Sequence, residues 1–397
     1  MTVRMSSGEI LAQGIRAIMD QQSRLAETEL KLATGKRIGK PSDDPSDAVR
    51  IHDLTREING VQQRQANIGA ARGQLEYAET VVKQAGESLQ RVRELMVQAN
   101  NATLNSDGRQ AIAGELAALN EHLLSIANTR DASGRYLFGG YQSSSVPFSR
   151  VAGEVVYQGD QGTRSLAIGP GLQIETADSG YTVFQDIRVG NGVFDVVAGA
   201  ANSGTGVVSA ESAGPFEFGQ YTLTVSQPDP AIPPQYVVSE GSGVTVQAGV
   251  FTPGEPVTFA GVALVIKGQP VDGDSFEIGP APRQDVFSTI QQAVELLSDS
   301  GSSTARNNGL NRALDGVDQA IGHFLDVRAS IGARMNTLDA EESINSATLL
   351  GFEKSLSTIA DIDVVEAINE LNVRRTALEA AQLAYVQIRD LSLFKYL

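Results

Sequence analysis

Cysteine is absent from this 397-residue sequence, which removes disulfides, thiolate chemistry and cysteine-based metal sites together. Proline is nearly absent from both ends: residues 1–140 carry only Pro41 and Pro45, and residues 284–397 carry none. No apolar run approaches the roughly 18 residues of a membrane span. The start, Met1 to Gly8, shows neither an apolar h-region nor a small-residue cleavage site, so no Sec signal peptide is expected. A cytosolic protein and one exported without a cleaved signal would read alike. Histidine is scarce too: His52, His122 and His323 are the only ones. None stands in a His-Glu-x-x-His pattern, so a hydrolytic zinc site lacks its usual ligands. No nucleophile–base pair has a local signature. The expectation is a protein that is not an enzyme and holds no metal or cofactor.

Positive charge is scarce in the middle of the chain. Residues 141–283 hold five basic side chains against fourteen acidic ones, so about nine of the sixteen net negative charges sit there. Nucleic acid and anionic membrane surfaces are poor partners for such a surface. A solvated outer region is the expected meaning.

What the sequence does have is helical periodicity at both ends. Leu11, Ile15, Ile18, Leu25 and Leu32, with Gln22 and Glu29 in the same stripe, alternate spacings of four and three, the repeat of a coiled-coil seam. Gly35 suits a C-cap. Asp44 suits an N-cap, Pro45 the first helical position and Asp47 the positive first turn. A second seam runs from Ile51 through Gln65, Arg72, Glu79 and Arg93 to Met96, predicting one helix from Pro45 to about Asn100, roughly 80 Å long. Asp107 and Gln110 read as a capping box for a third helix carrying Ile112, Leu116, Leu119, Leu123 and Ile126. In mirrored order, Leu310 to Ile359 keep the four-three alternation, Asp361-Ile362-Asp363 interrupts it, and Asp363 with Glu366 opens a last helix bearing Val364, Ile368, Leu371, Leu378, Tyr385, Ile388 and Leu391. The two long helices should pack on each other, and so should the two terminal ones.

The middle reads as strands. They are expected at Glu154–Gln158, Arg164–Ile168, Leu172–Thr176, Tyr181–Val189, Phe194–Val197, Tyr221–Ser226, Tyr236–Ser239, Val244–Ala248, Val257–Phe259, Val262–Lys267 and Ser275–Ile278. The class is therefore α+β, with long paired helices from both chain ends and an inserted β-rich region. Three domains are expected: 1–44 with 361–397, 45–140 with 284–360, and 141–283.

Two short patterns have simpler explanations than chemistry. Thr34-Gly35-Lys36-Arg37 lacks the first glycine and the following hydroxyl residue of a phosphate-binding loop, so it reads as a C-cap with dipole-compensating basic residues. Asp43, Asp44 and Asp47 lack the glycine and distal glutamate of a calcium loop, so they read as helix capping.

Specific strings then point to a family. Leu32-Ala33-Thr34-Gly35-Lys36-Arg37-Ile38 followed by Pro41-Ser42-Asp43-Asp44-Pro45 resembles the N-terminal signature of bacterial flagellins. Asn67-Ile68-Gly69-Ala70-Ala71 and the run Leu89 to Asn100 resemble two further blocks of that family. Ile126 to Thr129, leading to Gly134-Arg135-Tyr136-Leu137-Phe138-Gly139-Gly140-Tyr141, and the ending Leu391 to Leu397, resemble its hook–filament junction branch more than filament subunits. Gly268 to Phe276 resembles a β-domain motif of flagellar axial proteins. The string around Arg91 and Leu95, with Glu115, also resembles a flagellin surface seen by an innate immune receptor, although the same residues serve subunit packing.

The resemblance implies an extracellular structural subunit of the flagellum, exported by the flagellar type III system. Its implied partners are further copies of itself in a ring, a hook-side junction protein, flagellin filament subunits and an export chaperone. Leu11, Ile15, Ile18, Leu25 and Leu32 are expected to pack with Leu371, Leu378, Tyr385, Ile388 and Leu391 on assembly. The chaperone is expected on the last helix, at Val364, Ile368, Leu371, Leu378 and Tyr385. A self-polymerising filament flagellin and a surface adhesin on flagellin-like helices are the alternatives.

Overall fold

The computed structural model describes residues 7–101, 104–229, 231–299 and 301–390, without the side chains of residues 7, 8, 10 and 388–390. Its elements in chain order are α1 (Ser7–Thr34), α2 (Pro45–Ala99), α3 (Ser106–Ala127), β1 (Phe148–Val151), β2 (Glu154–Tyr157), β3 (Ser165–Gly169), β4 (Leu172–Glu175), a π-helical turn (Tyr181–Gln185), β5 (Ile187–Arg188), β6 (Phe194–Ala198), β7 (Val207–Ser212), β8 (Tyr221–Ser226), β9 (Gln235–Glu240), β10 (Thr245–Val250), β11 (Pro256–Phe259), β12 (Val262–Lys267), β13 (Ser275–Pro280), β14 (Arg283–Gln284), α4 (Val286–Ser298), α5 (Ser303–Ala360) and α6 (Val364–Asp390). The chain divides into two compact units, residues 1–66 with 341–397 and residues 67–340, with both boundaries inside the long helices α2 and α5.

The helix ends follow local chemistry. Asp44 Oδ1 accepts from the backbone amides of Ser46 and Asp47 and starts α2. Asp363 does the same for α6 through Val365 and Glu366. Gly35, at φ 68°, ends α1 in a left-handed conformation that costs glycine little. The cap of α3 is Asn105, whose Oδ1 accepts from Gly108 at 2.8 Å, and not the expected Asp107. Within the helical stretch expected from residue 284, one helix is separate from the long one: α4, N-capped by Asp285, precedes it and packs on α3.

In the unit of residues 67–340, α2 and α5 bury Ile68, Leu75, Val82, Leu89 and Met96 with Leu310, Val317, Phe324, Ile331 and Leu338. The polar residues interrupting the α2 seam have partners on α5: Arg72 pairs with Asp339, Glu79 with Arg328, Arg93 with Asp318, and Asn100 with Asn311. These partners run backwards along α5 as positions rise along α2, so the helices are antiparallel. Each exposed or half-exposed pair adds well under ~1 kcal/mol. Their larger effect is to hold one register, since a slip of a turn would break all four.

Residues 141–283 contribute to two cores. The hairpins β1–β2 and β3–β4 and the π-helical turn deliver Phe148, Val155, Ile168, Ile174, Val183 and Phe184 into the same cluster as the helices. Asn67 Nδ2 donates to Ala167 O at 2.8 Å, and the Arg334–Asp178 pair fastens this layer to α5. Phe184 is the hub of an aromatic group, with ring centroids 5.1 to 5.9 Å from Phe138, Phe148, Phe287 and Phe324. A strand over Tyr181–Val189 was expected here. Consecutive Val183 and Phe184 are both fully buried, which alternating strand geometry forbids on a one-sided layer and a tight helical turn allows.

The remaining strands form a second core of their own. The antiparallel five-stranded sheet β10-β9-β8-β13-β6 and the three-stranded sheet β11-β12-β7 enclose Phe194, Leu223, Val225, Val238, Leu264, Phe276 and Ile278. This core is tied to α5 at two places. Asn308, buried, accepts from Val208 N at 2.9 Å and donates to Gly206 O at 3.0 Å. Arg312 donates to both oxygens of buried Asp195, at 3.1 and 2.9 Å.

Candidate assembly interface

In the unit of residues 1–66 with 341–397, α1 and α6 pack along each other. The stripe that α1 buries runs Leu11, Gly14, Ile18, Gln21, Leu25, Thr28, Leu32. It shares Leu11, Ile18, Leu25 and Leu32 with the expected seam, but Gly14, Gln21 and Thr28 replace Ile15, Gln22 and Glu29. Ile15 is instead 43% exposed. The physical reason lies on α6. Its Tyr385 ring rests on Gly14, where even a Cβ would come within 3.0 Å of it, so a bulky residue does not fit the seam at that level. Thr28 tolerates burial because its hydroxyl bonds back to Arg24 O at 3.0 Å.

On α6 the covered stripe is Ala367, Leu371, Arg374, Ala377, Leu378, Ala381 and Tyr385. Leu371, Leu378 and Tyr385 are thus half-buried, whereas Val364 and Ile368 lie exposed. The Ile388 side chain and Leu391 lie outside the described residues. The exposed charges are largely neutralised within each helix: Arg24 with Asp20, Lys31 with Glu27, Arg374 with Glu370, and Arg375 with Glu379. Large apolar side chains also remain outward among the polar ones. Ile15, Met19 and Leu30 on α1, and Val365, Val373 and Leu383 on α6, are large side chains open to solvent. So many on one helix pair exceeds the scattered exposure of an ordinary surface.

The pair is closed by a knot between two chain breaks. Lys36 and Asp361 form an antiparallel bridge, Arg37 N donates to Ala360 O at 2.7 Å, and Ile362 N donates to Gly35 O at 3.0 Å. The Arg37 guanidinium reaches Ile359 O at 2.9 Å and pairs with Asp47 at 2.6 Å. Arg37 therefore caps the carbonyl end of α5, a helix distant in sequence, and links it to the first turn of α2. The C-cap reading of Gly35 holds, but the dipole that Arg37 compensates belongs to α5. A sequence scan has no signal for that, because the carbonyl it serves is 322 residues away. Asp43 accepts from the Lys40 and Gly39 amides, and these bonds hold its carboxyl below the usual range. The Asp47 amide and then the Ser46 hydroxyl do the same for Asp44. Asp43 and Asp44 are thus engaged in turn and cap, and the Asp47 carboxylate is taken by Arg37. Among the described residues no group of three His, Cys, Asp or Glu side chains is placed to hold a metal ion, and the His323 ring meets Thr182 O at 2.7 Å.

The junction string has its own geometry. Tyr136, Leu137 and Phe138 are buried, and Gly140, at φ 65°, turns the chain where a Cβ would strike Asp160 Oδ1 at 2.3 Å. Asp160 accepts from the amides of Tyr141, Gly162 and Gln142, which hold its carboxyl low. The string is thus a folded brace between α3 and the first hairpin.

Both helical ends match one family. The bacterial flagellin N-terminal helical region matches residues 9–143 and the C-terminal helical region residues 314–397. The flagellar hook-associated protein 3 of Escherichia coli K12 is 24% identical over 99% of both chains. The crystal structure of FlgL from Xanthomonas campestris is 33% identical, with TM-score 0.70, over 77% of this chain and 99% of that one. The chain belongs to the flagellar hook-associated protein 3 family. The hook-associated protein 3 of Legionella pneumophila is similar to the same degree, at 32% identity and TM-score 0.73 over 78% of this chain and 98% of its own. The family is a structural component of the bacterial flagellum. Its solved members share the α+β architecture described above.

Proposed function

We propose that this chain is the structural subunit joining hook-side axial proteins to the flagellin filament, and that it assembles as a ring through α1 and α6. The observation that carries the assembly reading is the terminal helix pair itself. Its seam is filled by half-buried residues, Leu11, Ile18, Leu25, Leu32, Leu371, Leu378 and Tyr385, while Ile15 and further large apolar residues stay exposed in the single chain. Neighbouring copies complete that core, and burial at roughly 25 cal/mol per Å² drives it. On this reading the terminal helices are the assembling part, and residues 67–340 form the body of the subunit.

The export chaperone fits the same helix at an earlier stage. Val364 and Ile368 are free in the folded chain, but Leu371, Leu378 and Tyr385 are covered by α1. A chaperone touching all five therefore binds α6 before it pairs, and leaves when α1 docks. Export proceeds through the flagellar type III channel.

Deletion of the gene tests the junction role. Cells should keep hooks, lose filaments and shed unassembled flagellin into the medium. Filament loss with no flagellin in the medium would identify the chain as the filament subunit instead. Leu378→Asp tests the interface: it should abolish assembly and leave the core of residues 67–340 intact by urea unfolding. Normal assembly by that variant would refute the interface.

A further inference from the structure

An unprotected sheet edge is a template for another strand, and proteins blunt such edges with bulges, prolines, charges or a cover. The outer β core has four edges: β10 and β6 on the five-stranded sheet, β11 and β7 on the three-stranded one. Three are guarded. β10 carries a bulge between Thr245 and Gln247, β11 is four residues long and opens on Pro256, and Asn308 occupies the outer side of β7. β6 has none of these devices. It pairs with β13 without a bulge, it holds no proline or lysine, and its one charge, Asp195, is buried against Arg312. The register shows what it leaves open. Gly199 N donates to Ser275 O, and Ala281 N to Val193 O, so Asp195 and Val197 turn their backbone groups to β13. The amides and carbonyls of Val196 and Ala198 therefore point the other way. Among the described residues nothing bonds to them.

Val196 and Ala198 border a cleft of about 510 Å³ between β6, α4 and the start of α5, within the size range of ligand-binding clefts. Val208, Leu296 and Ala305 add apolar lining. The α4 side is acidic: Glu295 and Asp299 line the cleft at the carbonyl end of that helix, whose last turn has no basic residue to offset its dipole. Glu295 accepts from the neutral Gln291 amide at 3.0 Å. Arg312, the one basic residue lining the cleft among the described residues, is taken by Asp195.

We propose that β6 takes an extended, basic–apolar segment of another protein as an added strand. Its backbone pairs with Val196 and Ala198. One apolar side chain enters the cleft, and a lysine or arginine two residues away, on the same side of the strand, meets Glu295 and Asp299. Backbone bonds supply affinity and the cleft supplies specificity. Charge decides against a second copy of this chain as the donor. Residues 141–283 hold fourteen acidic side chains against five basic ones, within a chain of net charge −16, so two such regions repel where a basic segment is attracted. The inference does not rest on the ring assembly proposed above.

The test titrates the full chain into the fluorescein-labelled peptide Thr-Val-Thr-Arg-Thr-Val and reads fluorescence anisotropy. Binding should appear below about 1 mM. Replacing the peptide arginine by glutamate should weaken it about tenfold, and N-methylating alternate peptide amides should do the same. Ala198→Pro removes an N–H that faces away from β13 and should match the N-methylated peptide. Glu295→Lys should match the glutamate peptide. No binding by the wild-type chain overturns the proposal, as does binding that is indifferent to N-methylation or to the peptide's charge. Self-association of the wild-type chain that Ala198→Pro abolishes would give the edge to a second copy and likewise overturn it. The peptide variants are read on the unaltered chain, so misfolding of Ala198→Pro leaves the test decisive.

Discussion

Asn308 carries a sharp prediction about how the outer β core is held. Its carboxamide accepts from Val208 N and donates to Gly206 O, doing for one stretch of β7 what the peptide group of another strand would do. β7 is an edge strand, bonded to β12 on one side only, so the side chain substitutes for a missing neighbour. Asn308→Ala strands one buried donor and one buried acceptor, at ~1–3 kcal/mol each. Asn308 also lines two clefts, flanked by Val196 and by Asp315, so water can enter and recover part of that cost. The net loss should be about 3 kcal/mol, which is on the order of 100-fold in a local opening constant. Hydrogen exchange of peptides covering residues 205–212 in the full chain measures it directly. Asn308→Asp sharpens the test. At pH 7 the carboxylate still accepts from Val208 but faces the Gly206 carbonyl. Its folded pKa is therefore raised, so the protonated acid, able to donate, restores stability as pH falls. Relative to wild type, the Asp variant should be worse at pH 7 and recover near pH 4. Protection falling less than about threefold in the Ala variant, or an Asp variant equally impaired at both pH values, would refute the reasoning.

Three other outcomes follow from the same structure. Burial first, then Asp318 and Asp195, push the Asp315 carboxyl up to about 6. Because the folded state holds this proton more tightly than the unfolded chain, stability present below about pH 4 is lost as pH rises towards 6. A shift of that size amounts to about 3 kcal/mol unscreened, and solvent on the open side of the side chain cuts it to about 1 kcal/mol. Asp315→Asn should accordingly raise the urea midpoint at pH 7.5 and leave it unchanged near pH 4. Phe184→Ala removes the ring at the centre of four others and should cost about 3–5 kcal/mol in urea unfolding. Gly14→Leu drives a side chain into the Tyr385 ring, costing ~1–3 kcal/mol of α1–α6 pairing, and should reduce filament number with no change in the unfolding midpoint of residues 67–340.

Much of this architecture is readable from residue order, for identifiable reasons. A seam sustained over seven turns or more averages out local noise, so α2 and α5 lie where periodicity places them. Asp44 and Asp363 announce their helices because a short acceptor in front of an apolar run has few other uses. Strands bounded by Gly, Pro and Asp, such as β8 and β12, are found to the residue. The failures are tertiary. Hydrophobicity favours Ile15 over Gly14, yet a ring from the other end of the chain decides that level of the seam. β7, Val207–Ser212, is strand because β12 and Asn308 satisfy it, and its Ser-Ala-Glu-Ser run has little intrinsic preference for that state. Arg37 shows the same limit at the site, since its role exists only when the two chain ends meet.

The two units differ in how completely one chain can satisfy them, and on the proposed reading that difference would keep the subunit single until it reaches its place. The core around Phe184, Leu89 and Val317 is closed within one molecule, with these side chains at 0% exposure. The α1–α6 seam is not: it includes Gly14, Gln21, Thr28 and Arg374, and its leucines are only half covered. Two helices of 28 and 27 residues cannot enclose a core by packing on each other alone. The ordering cost of about 1–2 kcal/mol per residue falls due at pairing, but the outward Ile15, Met19, Val373 and Leu383 return burial only when further helices arrive. On the proposed reading, addition is therefore favourable only where several neighbours are already in position, at the end of a growing axial structure. One isolated partner in solution gives too little. The knot at Arg37 and Asp361 then keeps the two ends in register, so that whatever completes the seam meets both helices at once.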